Sequence, residues 1–130
     1  MDFSVDAASK TPIYRQLGEQ IRAAIARGRL SANARLPSVR ELSRRLVINP
    51  NTIARVYTEL ERDGLLVTRQ GLGVFVAPPG TDLTKKARRE RLMVLLDSFF
   101  TEAVLLGFTA EEVRELIQDR VAHFQWQAGT

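Results

Sequence analysis

Apolar residues along this chain recur at helical spacing, then at strand spacing, then at helical spacing again. Ile13, Leu17, Ile21, Ala24 and Ile25 fall on one side of a first helix. Thr11-Pro12 opens it, with Thr11 as N-cap and Pro12 at the first helical position, and Gly28 stops it. After an irregular stretch, Leu36-Pro37 leads into Ser38, which forms a Ser-x-x-Glu capping box with Glu41. The short helix that follows runs to about residue 46, turning Val39, Leu42 and Leu46 inward and Arg40 and Arg44 outward. Only Val47 and Ile48 separate it from Asn49-Pro50, a strong N-cap followed by a proline whose missing N–H costs nothing at that position. The third helix buries Ile53, Val56, Tyr57 and Leu60, points Asn51, Arg55, Thr58 and Arg62 the opposite way, and ends at Gly64. Residues 65–69 and 74–76 then alternate as two strands of a hairpin joined through Gln70-Gly71-Leu72-Gly73.

Ala77-Pro78-Pro79-Gly80 is a breaker cluster that neither helix nor sheet interior tolerates. Beyond it a long helix is expected over about 83–106, with Leu92, Leu95, Leu96, Phe99, Phe100, Ala103 and Leu106 as one wide apolar stripe closed by Gly107. Thr109 and Glu112 repeat the capping box, and Val113, Leu116, Ile117, Val121 and Phe124 line one side of a last helix. The fold class is therefore mainly α with a small β-hairpin. The division is a winged helix-turn-helix domain at 1–77, a linker at 78–81 and a helical dimerisation region at 82–130.

Charge follows the same division. Residues 1–80 carry 12 basic and 7 acidic groups, whereas 81–130 carry 7 and 8, so the positive field belongs to the front part. There is no cysteine, which removes disulfides, thiolate metal sites and thiol nucleophiles together and agrees with a reducing cytoplasm. The acidic start lacks the apolar core of a signal peptide, and the apolar run at 92–96 is far below a membrane span. No glycine-rich phosphate loop and no nucleophile beside a base appears, so neither an enzyme nor a cofactor is expected. Glu115, Asp119 and His123 recur every four residues, but a solvated acidic face with one terminal histidine explains them better than a metal.

Two helices joined by a tight turn, the second capped by Asn-Pro and polar outside, are what a DNA-reading helix-turn-helix requires. The start of the third helix offers free N–H groups and a positive dipole to phosphate, and Asn51 and Arg55 reach toward base edges. Arg40, Arg44 and Arg45 crowd the preceding helix, where Arg40 and Arg44 are placed to hold the backbone and Ser38 joins them as a candidate contact. At the hairpin tip, Arg69 and Gln70 supply charge and hydrogen bonds, while Gly71 and Gly73 allow close approach to phosphates or the minor groove. The competing reading is a winged-helix adaptor that docks a protein. Against it, Asn51, Arg55, Thr58 and Arg62 offer none of the aromatic or aliphatic anchors found at the centre of protein interfaces.

Thr11-Pro12-Ile13-Tyr14, Leu36-Pro37-Ser38-Val39-Arg40-Glu41-Leu42, Asn49-Pro50-Asn51-Thr52 and Gly71-Leu72-Gly73-Val74-Phe75-Val76, with Leu17 and Leu60 to Leu65 between them, resemble the winged-helix domain of GntR-type bacterial transcription regulators over about 10–77. The Asn-Pro-Asn-Thr start and short two-helix tail are most similar to the YtrA subgroup. That resemblance implies DNA contacts from Arg40, Asn49, Asn51 and Thr52 and from the wing at Gln70 and Gly71, with a tail that dimerises. Residues 81–130 are too few to bury both faces of two helices alone, so a homodimer is expected and, by its two-fold symmetry, a palindromic operator of double-stranded DNA, occupied most simply by a repressor; the effector is unassigned. In one place the chain departs from the family, which usually has glycine where Val47 stands. A β-branched residue there means an altered turn or a strained left-handed one.

Overall fold

In the computed structural model, which describes residues 3–78, 85–124 and 126, the elements run α1 (Ile13–Ala26), α2 (Val39–Leu46), α3 (Pro50–Arg62), β1 (Leu66–Arg69), β2 (Gly73–Val76), α4 (Lys85–Leu105) and α5 (Ala110–His123). The chain divides into two compact units, one within residues 1–81 and one within 82–126.

In the front unit, α1 buries Leu17, Ile21, Ala24 and Ile25, α2 buries Leu42, and α3 buries Ile53, Val56, Tyr57 and Leu60. With Leu36, Leu66 and Val76 these side chains, Ala24 apart, form one core, whose removal from water drives the packing of α3 on both α1 and α2. The Tyr57 hydroxyl donates to the Pro37 carbonyl at 2.7 Å. Burial, with Glu41 nearby, pushes that phenol well above its ordinary range.

Helix α1 begins one residue later than the Thr-Pro signal implies. Pro12 is the cap, with ψ at 146°, and its carbonyl accepts from the N–H of Arg15 and Gln16. Thr11 makes no side-chain cap because its backbone is used differently: the Gln16 amide donates to the carbonyls of Asp6 and Thr11 at 2.9 and 2.7 Å. Gln20 pairs in the same manner with the backbone of Ser4. Two glutamines thereby satisfy an irregular segment, and this docking buries Phe3 to 8% exposure.

The α2–α3 turn keeps the left-handed geometry, with Val47 at φ 56° and ψ 52°. Of the two outcomes open for this residue, the strained one holds. Ser43 supports the turn, its carbonyl accepting from the Ile48 N–H at 3.1 Å and its hydroxyl donating to the Ile48 carbonyl at 2.5 Å. The left-handed region costs an L-residue roughly 1–2 kcal/mol, and Val47 is 89% exposed, so packing returns little of it. Val47→Gly is therefore expected to raise stability by about 0.5–1 kcal/mol after the added freedom of the unfolded glycine. The check is an upward shift of the urea midpoint with an unchanged slope. A downward shift would show that the valine side chain makes a compensating contact.

β1 and β2 pair antiparallel with Leu66 opposite Val76 and Arg69 opposite Gly73. Gly73 is thus a strand residue, and the connection is Gln70-Gly71-Leu72 rather than four residues. Leu65, expected at the start of the first strand, instead donates to the Leu60 carbonyl and closes α3 past Gly64. Residues 33–36, read above as irregular, run along the other edge of β2. There Asn33 N–H donates to Val76, Val76 N–H to Ala34 and Leu36 N–H to Val74, each at 2.8 Å.

In the second unit, α4 is described from Lys85, so the expected start at 83 lies outside the described residues. Leu106 falls just past its end. Gly107 (φ 86°) and the Thr109–Glu112 capping box turn the chain into α5. Two hydrogen bonds with Thr109 hold the Glu112 carboxyl below its ordinary range. Phe124, expected on the side of the last helix, is its C-cap.

The single apolar stripe expected on α4 needs correcting. Ala103 is buried within this unit, while Met93, Val94, Val104 and Leu105 join Leu92, Leu95, Leu96, Phe99 and Phe100 as exposed apolar residues. Five of these are consecutive, at 92–96, so they cannot share one side of a helix.

Candidate nucleic-acid interface

The arginines of α2 are presented by its cap. Ser38 Oγ accepts the Glu41 N–H at 3.0 Å and a Glu41 carboxylate oxygen accepts the Ser38 N–H at 3.3 Å. These bonds, with Arg35 and Arg45 nearby, hold the Glu41 carboxyl below its usual value. Ser38 is therefore committed to the cap, and Arg40, Arg44 and Arg45 stand exposed beyond it.

At the start of α3, Asn49 Oδ1 accepts the Asn51 N–H at 2.8 Å. The Asn49 carbonyl accepts from Thr52 at 3.0 Å and from Ile53 at 3.4 Å. Pro50 has no N–H to give. The expectation of free N–H groups here is thereby overturned, because Asn49 takes the donors of this first turn. What the helix start still offers is its dipole and the side chains of Asn51, exposed, and Thr52, half-buried.

Arg55 is exposed, but its guanidinium lies 3.8 Å above the Tyr14 ring and its Nε is 3.3 Å from Glu59. It leans toward α1, and a base contact by Arg55 would require leaving both partners. Close by, an Arg22–Asp63 ion pair ties α1 to the end of α3.

The wing is braced from two sides. Thr68 donates to Glu61 of α3 at 3.0 Å. Arg69 donates to Asn33 Oδ1 at 3.0 Å while its guanidinium stacks 4.7 Å over Phe75. Gln70 and Gly71, the latter at φ 78°, are exposed in the turn.

Arg35 was missed in the sequence. Its side chain lies so close to Gly73 that a Cβ there would come within 3.0 Å of its Nε. The only signal was the alternation Ala34-Arg35-Leu36, too short to mark a strand.

His123 Nδ1 bonds the carbonyl of Asp119 in its own helix at 2.8 Å. Among the described residues no group of three or more His, Asp or Glu is placed to hold a metal ion, and no helix is long and apolar enough to cross a membrane.

Residues 13–76 match the family model of bacterial regulatory proteins of the gntR family. Across nearly the whole chain, the HTH-type transcriptional regulator YhcF of Bacillus subtilis is 40% identical over 113 residues, 85% of this chain and 90% of the relative. This protein belongs to the GntR family. Within the family it is YtrA-like: the HTH-type transcriptional repressor YtrA of Bacillus subtilis is 30% identical over 88% of each chain. Among solved structures, a protein from Listeria monocytogenes described as a transcriptional antiterminator superposes with a TM-score of 0.75 at 27% identity, covering 99% of this chain and 98% of that one. The DNA-binding domain of AraR in complex with an operator superposes with a TM-score of 0.52 at 29% identity, covering 57% of this chain and 94% of that one. As a GntR-family protein the chain is a DNA-binding transcription regulator with a winged helix, and not an enzyme.

Proposed function

We infer that this GntR-family protein is a homodimeric repressor that occupies a palindromic operator within promoter DNA in the cytoplasm. The observation that carries this reading is the Asn49 cap, which sets Asn51 and Thr52 at the start of α3 between the exposed arginines of α2 and the wing. Asn51 and Thr52 read base edges in the major groove, Arg40 and Arg44 hold phosphates, and Arg69, Gln70 and Gly71 approach the flanking backbone. Asn49 acts through its cap, orienting Asn51. Repression is favoured by the name of the YtrA relative, and operator binding by the DNA in the AraR structure.

Dimerisation is supported by the exposed apolar residues of α4 and α5. So large an exposed apolar area, with Leu92 and Leu95 near two-thirds exposed, is what a protein partner covers. Two-fold protein symmetry is mirrored in DNA, which sets half-sites about 10 bp apart.

Gel shifts on the DNA upstream of the gene, at two salt concentrations, test the reading. The wild type shifts a discrete band whose affinity falls steeply with salt. Arg40→Ala lowers the log-log salt slope by about one, as one lost phosphate contact requires. Absence of a discrete complex at low salt would overturn the proposal, and an unchanged slope would remove Arg40 from the phosphate contacts.

A further inference from the structure

Charge in the second unit is not spread evenly. Five of the seven residues 85–91 are basic and one is acidic, whereas residues 92–130 carry 2 basic and 6 acidic groups. The near-balance of 81–130 therefore conceals a short cationic run in the first two turns of α4 and an acidic remainder. Within the run Lys86, Arg88 and Arg89 are exposed, and none of them forms an ion pair with another described residue. At about 100° per residue these three fall within about 160° of one side of the helix, and the half-buried Ala87 lies on the other.

The run does not serve the helix that carries it. Cations in a first turn oppose the helix dipole, and α4 has no acidic residue there, whereas α2 begins with Glu41 and α5 with Glu111 and Glu112. Nor is it a solvated face of the ordinary kind, which mixes both signs. A one-signed, one-sided stretch of Lys and Arg is the composition that neutralises the backbone of a nucleic acid. Its place in the chain names the duplex. Lys86 follows Val76, the end of the wing, by ten residues, so at most about 35 Å of fully extended chain separates them, the length of about ten base pairs. Wherever the wing lies on an operator, this run is tethered within reach of the same DNA.

We propose that Lys86, Arg88 and Arg89 form a second, sequence-independent contact with phosphates of the operator duplex. This rests on the DNA-binding reading of the front unit and adds an interaction surface in the other unit.

The test is a salt titration of the full chain on two duplexes, the upstream operator and a scrambled sequence of equal length. Replacing the three together (Lys86→Gln, Arg88→Gln, Arg89→Gln) lowers the log-log salt slope by about one for each cation lost, and weakens binding to both duplexes at least tenfold in about 0.1 M salt. The preference for operator over scrambled DNA stays level, since phosphates carry no sequence. The charge-keeping exchange (Lys86→Arg, Arg88→Lys, Arg89→Lys) retains the wild-type slope. Both variants sediment and melt as the wild type does, because no buried group changes. The chain has no cysteine, so Glu90→Cys, exposed beside the run, takes an iron chelate at one defined place. The radicals it releases cut the operator within about ten base pairs of the half-sites.

An unchanged slope, or a loss confined to the operator, overturns the proposal, as does an operator left uncut at saturating Glu90→Cys protein. Retention of the wild type but not the glutamine variant on vesicles containing phosphatidylglycerol, with equal slopes on DNA, also overturns it and assigns the run to a membrane surface. A wild type that binds neither duplex overturns the DNA-binding reading itself and this proposal with it, whereas the other outcomes leave that reading standing.

Discussion

Replacing Leu92 and Leu95 together by aspartate is expected to make the protein a monomer at micromolar concentration and to weaken operator binding about 10²–10³-fold. Both side chains are about two-thirds exposed in the chain alone, at 67% and 64%, so the folded protomer loses little burial when they change. In a dimer covering this part of α4, four carboxylates would enter an apolar interface without partners, a cost of several kcal/mol that association does not survive. DNA binding then falls because in the proposed dimer two linked winged domains would engage two half-sites with a high effective concentration, and a monomer has only one. Sedimentation together with titration of operator DNA checks this. A variant that still sediments as the wild-type dimer would place the dimer interface elsewhere, and a monomer with undiminished affinity would separate dimerisation from operator recognition.

The second large effect concerns stability. Ile53→Ala is expected to cost about 2–5 kcal/mol, because Ile53 is 0% exposed and belongs to the core shared by α1, α2 and α3. Neighbours held by their own caps and turns collapse only partly into the space left. For a unit of this size the melting temperature falls by about 4–8 °C per kcal/mol. Thr58→Ala, on the exposed side of the same helix, is expected to stay within about 0.5 kcal/mol. The two units carry separate probes: Tyr14 and Tyr57 belong to the front unit, and Trp126, the one tryptophan, to the other. A loss seen in the tyrosine signal at an unchanged tryptophan transition is the predicted outcome. An Ile53→Ala protein as stable as Thr58→Ala would mean that α3 is not anchored through this core.

Which features could be read from the sequence follows from how local their causes are. The boxes Ser38–Glu41 and Thr109–Glu112 and the Asn49 cap close hydrogen bonds within two or three residues, so the pattern of residues suffices to place them. The buried positions of α3 follow from period alone.

Phe3 and residues 33–36 were not legible because their partners are distant in the chain. The first depends on Gln16 and Gln20 of α1, and the second on the far edge of β2. A helical wheel gives the direction of a Cβ, not the end of a long side chain. That is why Arg55, placed outward by periodicity, lies over Tyr14. The Asn49 side chain that made the cap so readable also takes the Asn51 N–H, and the Asn49 carbonyl takes those of Thr52 and Ile53, so the donors expected to be free are occupied. For the candidate interface, then, residue types and their elements were legible, and the partners that hold each side chain were not.

Methylation protection on the upstream DNA tests the central claim most directly, because it reports which groove the protein fills. Occupation of the major groove by the start of α3 predicts protection of guanine N7 in two patches on one face of the duplex, about 10 bp apart. Protein bound at saturation with every guanine N7 still fully reactive would contradict it.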